Sequence, residues 1–585
     1  MYACMPSTER ASDVLIAAHI AHPSDWKVLC CFVLTLTMTK TRQPLYYHPY
    51  LFIITLLSIA ISSCSERFAH TVQQVPPPAE VSAADFSNYK DSTIYVAAGP
   101  HYGRSRLHTF FYGKHYRDVW TLPVEVPVLD IGTAHGGLTP MKLGGSRQTI
   151  NLRLQDTTGT EYVLRSIDKE PASALPEKWQ QSYVANIVRD ATSATHPYAA
   201  LTLPAMAEAL GMYYVEPELV YVPHDVHLGE FMAPMGGTVA LLERRPTGDQ
   251  TDYAPMGRAV KVKSTRSALA ERLTDNDTYF DARFYLRARL LDMLIGDWSR
   301  HEDNWRWAEI EHDENAYTYK AVPRDRDNIF YRLNDGPIPW LFMQLDFKPH
   351  FQTFRSKLKN VEKLNSSGRN LDELILAELE WQDWEEVADS VQRLMTDEVI
   401  EKGFQTMPDN IAALSAPDMT AKLKSRRNQL LQAASKYYNA LAANVQVVGT
   451  DKKERFEVEV VSEEEVRVRM FKIKREEGTE QQLYFRTFRA SETDEIRLYG
   501  LNGKDQFYIS GSTKPGIRIK IWGGAGEDNY QVEAKGSKLG KRIYINDTLY
   551  RNEFNVDKYT AVDIDNNQRA KDFDAAGWLL RYYLD

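Results

Sequence analysis

LLDMLIGDWSRHEDNWRWAEIEHDENAYTYKAVPRDRDNIF, residues 290–330, is the stretch that decides the fold. It begins at the end of a run that predicts a helix closed by Gly296, because one helical face carries Phe284, Ala288, Leu291 and Ile295. A polar loop follows, from Asp297 to Asn304, which is rich in side chains that bind phosphate, metal ions and protons. The sequence therefore predicts a helix followed directly by a loop whose side chains can bind ligands or take part in catalysis.

Two runs of alternating apolar residues come after this loop, at 305–310 and 317–321, on either side of the turn-rich residues 312–315. This pattern predicts a β-hairpin that carries the chain to Asp325 and Asp327. We expect Asn304, Asp325 and Asp327 to converge on one cleft, because Mg²⁺ takes a few carboxylate or amide oxygens from protein and keeps the rest of its shell as water and phosphate.

The segment GDWSRHEDN, residues 296–304, resembles the Asp-Arg-His-x-x-Asn loop of lipid kinases, HipA-type toxins and secretory-pathway kinases. PRDRDNIF, residues 323–330, resembles the Asp-x-Asp-x-x-Phe segment of the spore-coat CotH-type kinases. The chain departs from these atypical kinases at Ser299, where they usually have Asp. Asp297 lies two residues earlier and is the candidate to stand in for that Asp.

The resemblance implies an ATP-dependent phosphotransferase that uses Mg²⁺ or Mn²⁺, or a degenerate pseudokinase. It implies that Asn304 and Asp325 or Asp327 hold the metal ion. The catalytic set that it implies is Asp297 as base, with Arg300 and His301 ordering the loop. A structural loop without chemistry is the alternative, in which Arg300, Arg324 and Arg326 neutralise the carboxylates.

Upstream, glycines punctuate residues 132–145, and a strand at 161–169 follows. In kinases a Gly-rich turn covers the nucleotide phosphates and a basic side chain grips them. The cofactor-binding candidates are therefore Gly144, Gly145 and either Arg165 or Lys169.

An apolar strand at 237–243 leads to the predicted hinge between two lobes, where Glu243 joins the cofactor-binding set. Secretory-pathway kinases carry a Glu near the start of helix C, and no acid stands at His196–Ala200. Glu208 comes late in that helix, which leaves the ion pair of these kinases without its usual acid.

From residue 446 the chain alternates apolar and polar residues at strand-and-turn spacing, which predicts a β-rich domain of solenoid or sandwich type. Two turns, at 500–507 and 523–530, share one form, and the second matches the Gly-Gly-x-Gly-x-Asp turn of calcium-binding β-rolls. Calcium at Asp505 and Asp528 is a weaker alternative, because such turns bind calcium only when stacked in tandem.

The N-terminal region reads as a targeting segment. The apolar run 50–61 follows Lys40 and Arg42 and ends in Ile-Ser-Ser-Cys64, which resembles a bacterial lipobox. This resemblance implies cleavage and lipidation at Cys64, with Met38 as the natural start. No cysteine follows Cys64, so the folded body has no disulfide and no thiolate nucleophile.

Length and composition fit a globular protein of several domains: 585 residues, 43% hydrophobic and 25% charged. A net charge of −9 without a basic run argues against nucleic-acid binding. We expect an α+β protein with a two-lobed kinase-like domain followed by an all-β domain. The expected divisions are an over-extended start and signal at 1–64, a tether at 65–94, an N-lobe at 95–245, a helical C-lobe at 246–445 and a β domain at 446–585.

Residues 95–570 are similar to the soluble part of large envelope proteins of Gram-negative bacteria, on the phrases YRDVWTLPVEVPVLDI, GDWSRHEDNWRWA, PRDRDNIF and RLYGLNGKDQFYISG. In that family the region lies between a calcineurin-like metallophosphoesterase domain and an outer-membrane surface-antigen barrel, and we expect neither here. The resemblance implies an outer-membrane lipoprotein, facing periplasm or surface, with the membrane and barrel proteins as partners. The alternatives are a non-catalytic scaffold of outer-membrane biogenesis and a calcium-dependent adhesin.

Overall fold

The computed structural model describes residues 91–144, 149–313, 316–344, 350–473, 481–534, 538–565, 570–582 and 584. These residues pack as one compact unit. Cys64 and Gly145, two of the predicted functional residues, lie outside the described residues.

The first part of the unit is an antiparallel sheet of five strands in the order β3-β4-β5-β7-β6. Its strands are β3 Thr139–Gly144, β4 Asn151–Gln155, β5 Glu161–Ser166, β6 Pro217–Val222 and β7 Thr238–Arg244. One face packs on a core that includes Leu152, Leu154 and Leu164, as the alternation of β4 and β5 predicts. The other face carries Arg165 toward the rest of the molecule.

A two-stranded ribbon and short helices belong to the same part of the chain. The ribbon pairs β1 Thr93–Val96 with β2 Val124–Pro127. The helices are α1 Arg106–Tyr112, α2 Arg117–Thr121, α3 Tyr183–Asp190, α4 Leu203–Ala209 and α5 Met232–Met235.

The quoted stretch forms the centre of the next part. Helix α6 Thr265–Thr274 precedes helix α7 Ala282–Ile295, which ends at Gly296 with a φ of +73°, a left-handed conformation that glycine adopts without strain. Helix α7 is buried on almost every side, not on one face as predicted, because sheets and helices enclose it. The predicted hairpin is confirmed as β10 Trp305–Asp313 and β11 Ala316–Pro323, in a sheet ordered β8-β10-β11-β9 with β8 Lys261–Ser264 and β9 Thr278–Phe280.

Helices make up the rest of this part. They are α8 Pro337–Gln344, α9 Val361–Leu364, α10 Arg369–Ile375, α11 Trp381–Leu394, α12 Asp397–Phe404, α13 Asp409–Arg427 and α14 Leu430–Ala442. Helices α13 and α14 are separated by a break at Asn428. The break places Gln429 so that its side chain bonds the backbone of Ser356 and Leu358. No helix of the described residues has the length and apolarity needed to cross a bilayer.

The C-terminal part is a β-solenoid. One sheet is parallel, in the order β12-β16-β18-β20-β22, and the other is ordered β15-β14-β13-β17-β19-β21. The strands are β12 Asn444–Thr450, β13 Glu454–Val460, β14 Glu465–Lys472, β15 Gln481–Arg489, β16 Glu495–Gly503, β17 Gln506–Gly511, β18 Arg518–Gly526, β19 Asn529–Ala534, β20 Ile543–Asp547, β21 Glu553–Asn555 and β22 Ala561–Ile564. Helix α15 Ala575–Leu579 follows.

Stacked side chains run through the solenoid. Phe456, Phe507, Tyr530 and Phe554 form a ladder with ring centroids 4.8, 5.1 and 5.0 Å apart. The two similar turns lie in adjacent coils, since Gly503 pairs with Gly526, as the solenoid prediction requires. A Cβ on Gly526 would lie 2.0 Å from the Gly503 carbonyl oxygen, so only glycine fits this approach of backbones.

Candidate functional site

Two cations, one in the five-stranded sheet and one just after its strand β5, meet two carboxylates that follow the hairpin. Arg165 lies in β5, and its Nη2 donates to Asp325 Oδ1 at 2.5 Å and to Asp327 Oδ1 at 2.9 Å. Lys169 Nζ lies 3.0 Å from Asp327 Oδ2. Both cations are nearly buried, whereas the side chains of Asp325 and Asp327 are 36% and 23% exposed. We call these four residues the acid–base cluster; it lies where a ligand can reach its carboxylates.

A further acid lies beside Arg165. Glu243, near the end of β7, places Oε2 3.9 Å from Arg165 Nε, so its side chain faces the cluster. Burial raises the pKa of Glu243, although the charge of Arg165 opposes this shift. Glu208 lies at the surface, 3.6 Å from Lys402. Glu243 is therefore the acid that lies beside Arg165, and Glu208 is not.

The two aspartates of the cluster differ in their affinity for protons. Burial would raise the pKa of Asp327, but the charges of Lys169 and Arg165 outweigh it and hold that pKa well below the usual range. Burial raises the pKa of Asp325, with Arg165 opposing and the charge of Asp327 adding to the rise. Asp327 is therefore the carboxylate that stays ionised, and ionised oxygens are what Mg²⁺ binds.

The backbone of Asp325 is left-handed, with a φ of +60°. Few residues other than glycine adopt this conformation, and Asp and Asn are the usual exceptions. The turn lets residues 325 and 327 both point toward Arg165.

The loop from Asp297 to Asn304 uses its predicted catalytic residues to hold itself together. Asp297 is 1% exposed, and its Oδ1 accepts from the Ser299 backbone N–H at 3.1 Å and from Ser299 Oγ at 2.8 Å. Its Oδ2 lies 3.4 Å from Arg300 Nη1. The His301 backbone N–H donates to the Ser299 carbonyl at 2.8 Å. Asp297 thus serves the loop, not the acid–base cluster.

Arg300 joins this loop to the segment that carries the cluster. Its Nη1 donates to the Arg324 carbonyl at 2.7 Å, and its Nη2 donates to the Asn304 carbonyl at 2.5 Å. Asn304 is buried, and its Nδ2 donates to the Ser299 carbonyl at 2.5 Å. These bonds hold Arg300 within the loop. The Asn304 carbonyl also accepts from the Arg324 backbone N–H at 3.1 Å, so Asn304 lies next to the segment that begins at Arg324.

A buried network of charged side chains, which the sequence did not predict, connects the cluster to helix α7. Asp292 in α7 is fully buried, with Oδ1 2.7 Å from Arg326 Nη2 and Oδ2 3.0 Å from Arg289 Nη1. Arg326 lies between the two aspartates of the cluster, so its contact with α7 fixes them relative to the helix. The signal was an Asp inside the apolar run LLDMLI, since a charge in such a run is rarely buried without a partner.

The glycine candidates are only partly placed. Gly144 ends β3 and pairs with Asn151 at the start of β4. Asn151 in turn pairs with Arg165 of β5, so Gly144, Asn151 and Arg165 lie side by side across three neighbouring strands. Gly145 lies outside the described residues.

The described residues contain no group of three or more His, Cys, Asp or Glu side chains that could hold a metal ion. Asp325 and Asp327 are the pair that could share one with a bound phosphate. Asp505 and Asp528, the calcium candidates, point into the solenoid, where Asp505 Oδ1 accepts from the Glu454 N–H at 2.8 Å and Asp528 Oδ1 from the Asp505 N–H at 2.9 Å. Their carboxylates join neighbouring coils.

No protein-family model matches the chain, and no curated protein sequence matches it. Among solved structures, the crystal structure of a Helicobacter pylori proinflammatory kinase, CtkA, is similar at 12% identity and a TM-score of 0.28. The match covers 53% of this chain and 98% of that chain. We draw no inference from a match at this TM-score.

Proposed function

We propose that the acid–base cluster binds a metal–nucleotide complex and that the protein is an ATP-dependent phosphotransferase of the atypical kinase type. The observation that carries the proposal is the meeting of Arg165 and Lys169 with Asp325 and Asp327. Cations in and next to a strand of a sheet, and carboxylates that follow a hairpin, are the groups that kinases use for phosphates and for metal.

The donor set fits a magnesium or manganese ion. Asp327 is ionised at neutral pH, and both carboxylates are partly exposed. A bound ion would neutralise charge on the phosphates of the nucleotide. Asp325 and Asp327 would turn from the cations to the metal ion, which frees Arg165 and Lys169 to hold phosphate oxygens. Glu243 would keep Arg165 oriented from the hinge side.

A second candidate is a nucleotide-binding scaffold without phosphotransfer. The observation that favours it is the engagement of Asp297 with Ser299 and Arg300, because a general base must reach the proton that it abstracts. In this case the cluster binds a nucleotide without transferring its phosphate. The function then depends on the nucleotide-bound state of the protein.

The cellular setting belongs to the proposal as well. The lipobox-like end of the apolar run at Cys64 supports an envelope lipoprotein, with the membrane and outer-membrane barrel proteins as partners. A periplasmic location would favour the scaffold, since ATP is scarce there. Replacing Cys64 with Ser and following membrane fractionation tests this part.

The binding experiment compares the wild-type protein with Lys169→Met and with the control Lys142→Met, which removes an exposed lysine from β3 of the five-stranded sheet. ATP with Mg²⁺ at 100 times its Kd should raise the free energy of unfolding by about 2.7 kcal/mol. The shift should persist in the control and disappear in Lys169→Met. Absence of a shift in the wild type would reject both candidates, whereas a shift without transfer of the γ-phosphate would select the scaffold.

A further inference from the structure

A pocket on the helical part has a wall rich in cations. It has a volume of about 160 Å³, and its lining includes Arg355, Lys357, Lys359 and Arg426. None of its lining residues is acidic. The volume holds several waters at about 30 Å³ each, which leaves room for a small oxyanion and its hydration.

Three of the cations stand at alternate positions of one loop segment. Arg355, Lys357 and Lys359 are exposed, whereas Phe354 and Leu358 between and beside them are buried. None of the three forms an ion pair with a carboxylate of the described residues, and so their charges are not neutralised within the described part of the chain. Charges of one sign around a concave wall raise the local concentration of ions of the opposite sign.

A fourth cation lies in the wall itself. Arg426 is 3% exposed and donates to three carbonyls: Leu294 at 2.7 Å, Met293 at 2.5 Å and Arg355 at 3.0 Å. The first two belong to the last turn of α7, whose dipole carries about half a negative charge. The guanidinium therefore leaves a net positive charge at the pocket, and burial without a carboxylate lowers its pKa to about 9.

We propose that this pocket binds an oxyanion, as free phosphate or as the phosphate of a larger ligand. The polar groups of Asn334, Gln352, Thr353 and Asn360 supply neutral hydrogen-bond partners around it. The lining of this pocket includes none of the four residues of the acid–base cluster, so the two sites are separate. The proposal therefore does not depend on the proposed phosphotransferase.

The test is isothermal titration of the whole protein with inorganic phosphate at low salt. The pocket variant combines Arg355→Gln, Lys357→Gln and Lys359→Gln. The matched control combines Lys453→Gln, Lys514→Gln and Lys538→Gln, three exposed lysines of the solenoid. Loss of charged hydrogen bonds should weaken binding about tenfold or more in the pocket variant, while the control and Lys169→Met keep the wild-type affinity.

Absence of phosphate binding by the wild type, equal weakening in both triple variants, or loss of binding in Lys169→Met would each overturn the proposal. Sedimentation with vesicles that contain phosphatidylglycerol identifies the source. Vesicle binding that the pocket variant loses assigns the pocket to a lipid headgroup, and phosphate binding without vesicle binding assigns it to a soluble ligand.

Discussion

Ser299 differs from the residue of active kinases, and its contacts decide what a substitution there would do. Its Oγ lies 2.8 Å from Asp297 Oδ1, and it is 8% exposed. Ser299→Asp would therefore bury a second carboxylate against the first. An unpaired buried charge costs about 3 kcal/mol or more. We expect Ser299→Asp to lower the free energy of unfolding by this amount, as measured by urea denaturation.

The exchange variant Asp297→Ser/Ser299→Asp keeps one carboxylate in the loop and serves as the control. It should recover most of the lost stability. If the loop is a kinase loop whose base has moved, the exchange should also raise phosphotransfer, since a general base contributes roughly 10²–10⁴-fold. A single Ser299→Asp variant that is as stable as the wild type would contradict the prediction.

The two aspartates of the cluster provide a second pair of variants. Asp327→Asn should destabilise the protein by about 1–3 kcal/mol at pH 7, because Lys169 and Arg165 lose a charged acceptor. Asp325→Asn should cost less, because the pKa of Asp325 is raised and Asn keeps the left-handed backbone. Equal losses in the two urea titrations would be evidence against this difference.

The same residues set a dependence on pH. Because the folded pKa of Asp327 is lower than in the unfolded chain, where it is about 3.9, its stabilising effect is complete above that value. The effect is lost as the pH falls below about 4 toward the folded pKa. Asp327→Asn lacks this carboxylate, so its free energy of unfolding should fall less than that of the wild type as the pH is lowered.

At the scale of elements, local periodicity explains what could be predicted. The α+β class, the hairpin of residues 305–323 and the solenoid follow from alternation and turn residues, which depend on near neighbours. The Asp inside the apolar run 290–295 indicates a buried charge that needs a partner, but that this partner is Arg326 could not be predicted, because the two positions are 34 residues apart and no local pattern joins them. The hydrogen bond between Asp297 and Ser299 was also not predicted, because it depends on the backbone of a tight turn, which the kinase-like motif does not specify.

The aromatic ladder of the solenoid makes a prediction about its coils. Phe507 is 1% exposed and stacks between Phe456 and Tyr530, so Phe507→Ala should cost about 3–5 kcal/mol. Phe554 ends the ladder, is partly buried and stacks on Tyr530 only among the ladder residues. Phe554→Ala is the matched control and should cost clearly less. Equal urea midpoints for the two variants would show that the ladder does not stabilise the coils.

At the scale of the whole molecule, one core joins the helical part to the solenoid. The same cluster of buried residues includes Leu291 of α7, Val448 and Tyr499 of the solenoid, and Trp578 of α15. Arg272 of α6 also donates to the carbonyls of Val448 and Gly449. We expect one cooperative unfolding transition, with tryptophan fluorescence and far-ultraviolet circular dichroism changing at the same urea concentration. Two separated transitions would show that the parts fold independently.

If the protein unfolds as one unit, the buried acids of the solenoid affect the stability of the whole protein. Asp505 and Asp528 are each 1% exposed, and each has an Oδ2 without a hydrogen-bond partner among the described residues. Burial raises the pKa of Asp528 to about 8, and the nearby charge of Asp547 adds to the rise. The folded protein therefore binds a proton here that the unfolded chain releases near pH 4. Stability should fall as the pH rises from about 4 to about 8.

Asp528→Asn should remove this loss of stability at higher pH, because the structure already has an Asn at the equivalent position of the next coil. In the next coil Asn552 holds the equivalent position, and its Oδ1 accepts from the Asp528 N–H at 2.7 Å, as Asp528 does from Asp505 at 2.9 Å. Asn at 528 can keep that bond, and its amide can donate toward Asp547, which an ionised Asp528 cannot do. The difference between variant and wild type in free energy of unfolding should therefore grow with pH, by up to about 1.4 kcal/mol per pH unit for one proton. Urea titrations at pH 5, 6, 7 and 8 measure that slope, and parallel curves for the two proteins would mean that Asp528 is ionised in the fold.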